Sequence, residues 1–416
     1  MRLAYLCTDF GIPVHGSKGA SIHVRELSRA LRALGHEVEI FAARAGGPAP
    51  PEFHVPVHEI ALAHADKLRY DLLRDDPAAG EVVAKEVRSM LFTSTFRHQV
   101  APLLQRFAPN ALYERYSLQG TAGLDLAHDL DVPLILEVNA PLSAEQATHR
   151  GLAYARTARA VEWTIARGAD HVVAVSAPLK EWLVSLGVAA ERVTVLPNGV
   201  DTDRFAAGEH GREATRARLG IPPGTPIVGF VGTLKAWHGT ATLVDAVAAL
   251  HRESSPRSAP HLLVVGEGPQ RADLAEQAAH LGIAGATTFT GTVPHDEIPA
   301  YIGAMDVAVA PYDEAPDFYF SPLKLFEYMA AGRPVVAAAI GQITDCIRHQ
   351  ETGLLYPPGD RAALAAAIAA VLGDPAWAAA LGRAGRAEVQ QHHTWIGNAR
   401  AVSELAQRSR RPAEVG

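Results

Sequence analysis

Phe320-Ser321-Pro322-Leu323-Lys324-Leu325-Phe326-Glu327-Tyr328-Met329-Ala330-Ala331-Gly332-Arg333-Pro334-Val335-Val336 reads as a short helix running into a strand. Ser321 is a good N-cap, Pro322 suits the first helical position, and Gly332 ahead of Pro334 stops the helix. Lys324 and Glu327 lie three apart and share a face. Val335 and Val336 then open a strand. A helix start offers free N–H groups and the positive end of its dipole to an anion, here with a lysine in the first turn. One turn on, a carboxylate accepts hydrogen bonds from hydroxyls. The pattern suits a phosphate at the helix start and a ribose at Glu327. The plainer alternative is a surface Lys–Glu pair worth roughly 0.2–0.5 kcal/mol.

Around this stretch the chain alternates strands and helices, the mark of parallel sheets covered on both faces. A first series of strands falls at Leu3–Cys7, Glu37–Ala42, Ala111–Tyr113, Leu134–Glu137, His171–Val175 and Val193–Leu196, with a helix over Ser21–Leu34 and a largely helical region from Ala65 to Phe107. A second series falls at Ile227–Phe230, Leu262–Val265, Thr287–Thr290, Val307–Ala310 and Val335–Ala338. Between them lie Pro197-Asn198-Gly199-Val200-Asp201 and a polar segment, Ala206 to Arg218. The expected fold class is therefore α/β with two doubly wound domains, 1–205 and 206–389, and ligands at the carboxyl ends of their strands.

Composition narrows the function. The length of 416 residues is a soft prior for two or three domains, and 48% apolar with 20% charged residues is ordinary for a soluble globular chain. A net charge of -7 speaks against nucleic acid as a partner. Cys7 and Cys346 form neither a disulfide framework nor a zinc pattern, so the expected setting is reduced and cytoplasmic. No apolar run is long enough to span a bilayer, and Thr8-Asp9 ends the run from Met1 to Leu6 too early for a signal peptide. Arg25, Arg29 and Arg32 fall along one helix, and Arg408, Arg410 and Arg411 crowd the tail. Peripheral membrane docking is the less favoured reading of these arginines; a solvated face is the simpler one.

Glycine-rich loops supply the next clue. His15-Gly16-Ser17-Lys18-Gly19-Ala20-Ser21 lies between the first strand and the first helix, the usual phosphate-binding location. A dinucleotide fingerprint needs G-x-G-x-x-G there and an acid about 20 residues on. This loop has only Gly16-x-x-Gly19, and the second strand ends Phe41-Ala42-Ala43-Arg44. A P-loop is missing too. No cofactor is expected.

Taken in order, these segments resemble the retaining glycosyltransferase family 4 (glycosyl transferases group 1), enzymes of the GT-B fold. Glu327 and Met329-Ala330-Ala331-Gly332-Arg333-Pro334-Val335 match its nucleotide-binding signature. Many members also carry a glutamate where this chain has Tyr319, a clear departure. Gly19-Ala20-Ser21-Ile22-His23-Val24 looks like the family's Gly-x-x-x-His-Val loop, whose backbone approaches the donor phosphate. Gly229 to Gly239 matches its Gly-Arg-Leu-x-x-x-Lys-Gly segment, but Thr233 and His238 replace the Arg and Lys that clamp the pyrophosphate. Lys235 and Lys324 are left to supply positive charge to the leaving diphosphate. The resemblance further implies that Gly266-Glu267-Gly268-Pro269 and Gly291-Thr292-Val293-Pro294 wall the nucleotide site, with the base near Val293.

The donor-binding set implied is Gly19, Thr233, Lys235, Gly266, Val293, Tyr319, Ser321, Leu323, Lys324 and Glu327. On the acceptor side stand His23, Glu114, Arg115 and Asn139; Glu137-Val138-Asn139 ends a strand near where many members place a histidine. Lys235, Asn139 and Glu137 are the catalytic candidates. A buried structural asparagine is the rival reading of Asn139. Asn198-Gly199-Val200-Asp201 with Phe205 is read as a structural link, and 390–416 as the crossover helix returning to the first domain.

Aspartates spaced one apart occur at Asp129-Leu130-Asp131 and Asp201-Thr202-Asp203, both in turns rather than at strand ends, and His392-His393 has no ligand set around it. No metal is expected. The sequence thus points to a retaining transferase that uses a nucleoside-diphosphate sugar, with a UDP-sugar favoured over a GDP-sugar, and an acceptor it does not name. A nucleotide-sugar 2-epimerase of the same fold and a non-catalytic sugar-nucleotide-binding protein are the alternatives.

Overall fold

The computed structural model describes residues 1–206, 208, 211–253, 259–314 and 318–409. The chain forms two compact units, one of Met1–Pro197 with the chain from Trp395 on, the other of Asn198–Thr394. The division falls before the 205/206 boundary drawn from the polar segment. Asn198 and Phe205 explain why: Asn198 bonds to Ser321, and Phe205 is buried in the second unit's core.

The first unit is a seven-stranded parallel sheet in the order β3-β2-β1-β4-β5-β6-β7. Its strands are β1 (Arg2–Cys7), β2 (Glu37–Ala42), β3 (Val57–Glu59), β4 (Ala111–Arg115), β5 (Leu134–Val138), β6 (His171–Ala174) and β7 (Val193–Val195). One face carries Leu6, Leu112, Leu136 and Val138, which pack in one cluster with Phe92, Phe96, Val100 and Leu104 of the long helix Gly80–Phe107. Residues two apart in a strand share a face. In register on the opposite face lie Tyr5 and Tyr113, and then Cys7, Arg115 and Glu137. The helices Gly19–Ala33 and Trp395–Arg408 pack against each other, and Ser403 Oγ meets His36 Nε2 at 2.8 Å.

The second unit is a six-stranded parallel sheet, β10-β9-β8-β11-β12-β13. Its strands are β8 (Ile227–Val231), β9 (His261–Val265), β10 (Thr287–Phe289), β11 (Val307–Ala310), β12 (Val335–Ala338) and β13 (Leu354–Tyr356). Each sheet reverses its strand order once, between β1 and β4 and between β8 and β11. Doubly wound sheets open a ligand crevice at such a point.

Two expectations move. Residues 390–392 belong to the preceding helix, Pro375–His392, and the crossover helix starts only at Trp395. The first helix begins at Gly19 rather than Ser21.

Candidate active site

The helix that opened the sequence reading spans Leu323–Ala330. Pro322, extended, takes the cap position expected of Ser321; Ser321 Oγ instead accepts the Asn198 N–H at 2.9 Å, and Asn198 Nδ2 donates to the Ser321 carbonyl at 2.6 Å. The helix stops as expected. Gly332 is left-handed at φ 65°, and the Gly332 and Arg333 N–H groups close onto the Met329 and Tyr328 carbonyls.

Lys324 is the notable residue of that helix. It is 8% exposed, and its Nζ has no hydrogen-bond partner among the described residues. The amine lies over the Phe230 ring, 4.1 Å from its centroid, and 5.1 Å from that of Tyr312. These rings come from the end of β8 and the segment after β11, so the amine sits at the strand-order reversal. Burial pulls it down to about 7, against which Glu327 pushes back. An unpaired amine in such surroundings gains most from an anion.

The loop after β8 is shaped around it. Gly232 has φ +147°, a region L residues rarely adopt. Gly266, after β9, packs directly on the Gly232 backbone, and an isolated bridge joins Gly266 to Gly291. Thr233 is exposed, and its carbonyl accepts the His238 Nδ1–H. Burial and the nearby Lys324 hold His238 down at about 3, so this imidazole is neutral at physiological pH. Lys235, half-buried, stacks over Trp237 at 4.5 Å. Lys235 and His238 therefore join Lys324 around one loop.

One turn along the helix, Glu327 is 7% exposed and accepts from His295 Nε2 at 3.0 Å. Val293 lies two residues before this histidine, packed on the edge of the second core. Tyr319 is half-buried and its ring meets that of Phe320 at a tilt, centroids 4.4 Å apart; Leu323 is half-buried at the helix start.

In the first unit, Glu137 is fully buried at the carboxyl end of β5. One carboxylate oxygen accepts from Arg115 Nη1 and Asn139 Nδ2, the other from His23 Nε2 at 2.7 Å and the Tyr113 hydroxyl at 2.6 Å. Burial alone would raise this carboxyl; His23 and Arg115 outweigh it and hold the group well below the usual range. The same burial, with Glu137 adding to it, pushes Tyr5 and Tyr113 up. Trp395 sets its ring edge-on to His23 at 4.9 Å. Glu137, Asn139, His23 and Arg115 are thus brought together.

Glu114 is not part of that group. It points to the opposite face of β4, among the apolar side chains, with both oxygens buried and without partners among the described residues. Burial lifts it to about 8. Gly123 makes room for it, since a Cβ there would lie 1.9 Å from Oε2. Gly19 is exposed at the first turn of its helix.

The arginines of that helix are a solvated face only in part, Arg32 being exposed and Arg29 half-buried. Arg25 is buried and donates from Nη1 to the Val14 and Gly16 carbonyls, both at 2.6 Å, which holds the glycine loop from below. Arg29 pairs with Glu26, and Arg32 donates to the His54 carbonyl. Of the tail arginines, Arg408 pairs with Glu404, while Arg410 and Arg411 lie outside the described residues. Among those described, no single helix is long and apolar enough to cross a membrane. The aspartates have local partners: Asp129 binds Arg97, Asp131 ends a helix in the left-handed region, and Asp201 accepts the Arg204 N–H. Phe230, Tyr312 and His295 escaped the sequence reading; His295, directly after Gly291-Thr292-Val293-Pro294, is the one a motif could have flagged.

Known proteins share this sequence pattern and this fold. The Glycosyltransferase Family 4 model matches residues 17–204, and the Glycosyl transferases group 1 model residues 225–374. The chain is 32% identical to a D-inositol 3-phosphate glycosyltransferase of Nocardia farcinica over 86% of its length and 77% of the relative's. It is 28% identical to a glycogen synthase of Mycobacterium tuberculosis, over 97% and 94% of the two chains. Among solved structures, HepE of Anabaena in complex with UDP superposes with a TM-score of 0.72 at 19% identity, covering 98% of this chain and all of that one.

Proposed function

Because the chain belongs to glycosyltransferase family 4, the glycosyl transferases group 1, and is a glycosyltransferase with the GT-B fold, we propose that it draws its sugar from a nucleoside-diphosphate donor, UDP-linked by preference, and transfers it with retention to a hydroxyl. The observation that carries this reading is the unpaired, buried amine of Lys324 at the strand-order reversal, beside the Gly232 loop and one helical turn from Glu327. A diphosphate there would find the Lys324 amine, and Lys235 on the same loop. A ribose would find Glu327 in place of the His295 contact. The UDP-bound relative supports the choice of nucleotide.

The residues also bear on mechanism. An inverting route needs a base to deprotonate the acceptor. Glu137 is a poor one, since it is fully buried, its proton affinity is depressed, and four donors already occupy it. Tyr319 stands where many family members carry a carboxylate. In the front-face route we favour, Lys235 and Lys324 hold the departing diphosphate, which takes the acceptor's proton as the new bond forms on the same face.

Thermal shift with UDP-, GDP- and ADP-sugars tests the donor, because a cognate ligand raises apparent stability by mass action. Proton NMR of the first-formed product tests retention. No shift with any nucleotide sugar overturns the donor assignment, and an inverted anomer overturns the mechanism.

A further inference from the structure

Lys235 lies on a turn that is fixed at both ends. Before it, the Leu234 N–H donates to the Glu267 carbonyl at 3.0 Å, and the Leu234 carbonyl accepts the Gln270 N–H at 3.2 Å. After it, the tight turn Ala236–His238 closes through Gly239, left-handed at φ +64°, where a Cβ would collide with the Pro311 carbonyl oxygen. Between these anchors the Lys235 amine lies over the Trp237 ring, 4.5 Å from its centroid, and Trp237 is 40% exposed. The turn joins the surroundings of Lys324: the His238 ring meets those of Trp237 and Tyr312 edge to face at 6.0 and 5.5 Å, and Tyr312 is one of the two rings beneath the Lys324 amine.

We propose that Trp237 is a positioning residue whose indole face holds the Lys235 amine at the phosphate site around Lys324. Thr233 and His238 stand where the family signature has its two cations, so Lys235 approaches a diphosphate from a different place on the loop. A lysine stem is flexible and gives up rotamer freedom when its head is fixed. A ring that already holds the amine, on a backbone that cannot shift, removes part of that loss. Every group involved lies in the second unit. The inference rests on the nucleotide-sugar reading above.

Three replacements separate the ring from its bulk. Trp237→Phe keeps an aromatic face for the amine, whereas Trp237→Leu keeps an apolar side chain without one. Lys235→Met removes the amine and keeps an unbranched stem. A tryptophan that only packed the turn would tolerate leucine and phenylalanine alike, and its loss would disturb the whole nucleotide site rather than the phosphates alone.

The test is binding of UDP and of uridine to the full chain by calorimetry, since UDP carries the diphosphate and uridine does not. Trp237→Leu should weaken UDP about three- to fivefold, the scale of an exposed cation–π contact, and leave uridine unchanged. Trp237→Phe should stay within about twofold of wild type for both ligands. Lys235→Met should weaken UDP about tenfold or more, and in that background Trp237→Leu should add nothing. Wild-type UDP affinity in Trp237→Leu, a Phe variant as weak as the Leu one, an equal loss for uridine, or a further loss on top of Lys235→Met each overturns the proposal, while UDP binding by the wild type leaves the donor reading standing. A wild-type protein that binds no UDP overturns the UDP reading and this inference with it.

Discussion

Gly232 and Lys324 compete for one space: a Cβ on Gly232 would lie 2.9 Å from Lys324 Nζ and 3.2 Å from Cε. The loop after β8 therefore meets the helix Leu323–Ala330 at the amine itself. Gly232→Ala should cost about 1–3 kcal/mol of stability through its φ of +147°. It should also weaken UDP binding by displacing the amine. Urea unfolding and calorimetry measure the two, and an unchanged UDP affinity would remove Lys324 from the phosphate site.

Lys324 makes the fold's stability depend on pH in a definite sense. Its amine moves from 10.5 in the open chain to about 7 when buried, with burial the main cause. Between those values the unfolded chain binds more protons, so stability rises as pH climbs through the window, and the penalty is complete below about 7. Lys324→Met should therefore melt higher than wild type at pH 6, with the gap closing by about pH 10. The shift sets a ceiling on the order of 5 kcal/mol. A melting curve that tracks wild type at every pH would contradict the buried amine.

For Glu327, substitution and ligand editing should report the same interaction. Glu327→Ala is expected to weaken UDP binding by roughly 1.5–3 kcal/mol, the scale of a hydrogen bond to a charged group. Removing both ribose hydroxyls from UDP should weaken wild-type binding similarly, yet cost the variant little more. Additive losses would place the ribose elsewhere.

Prolonged EDTA treatment should leave sugar transfer intact. Asp129 is held by Arg97 and Asp201 by the backbone of Arg204, so both carboxylates are already engaged. Activity abolished by EDTA and restored by manganese or magnesium would reopen both aspartate pairs.

Central strands announce themselves in the sequence because parallel strands buried on both faces need unbroken apolar runs, as in Leu3–Cys7, Val307–Ala310 and Val335–Ala338. The edge β3 lacks such a run, since Val57-His58-Glu59 carries two polar residues of three, and the apolar β13, Leu354-Leu355-Tyr356, is only three residues long. Motif order points to Lys324 and Glu327, but spacing alone cannot separate a solvated pair from a desolvated one. That difference depends on Phe230 and Tyr312, which only the fold brings to the amine. Glu137 presents the same difficulty, because its four partners come from three separated segments. Glu114 and Arg115 are neighbours in the sequence, yet strand alternation sends one into the apolar layer and the other to Glu137.

The helix Trp395–Arg408 completes the first sheet's unit although the whole second unit precedes it in the chain. Trp395 on His23 and Ser403 on His36 are contacts that no nascent chain can make until the second unit has been synthesised. On the ribosome, Asn198–Thr394 has all of its own residues available before the unit begun at Met1 does. Of the two units, the one begun first is therefore the last to close, and its flank stays open while the whole of the other is made.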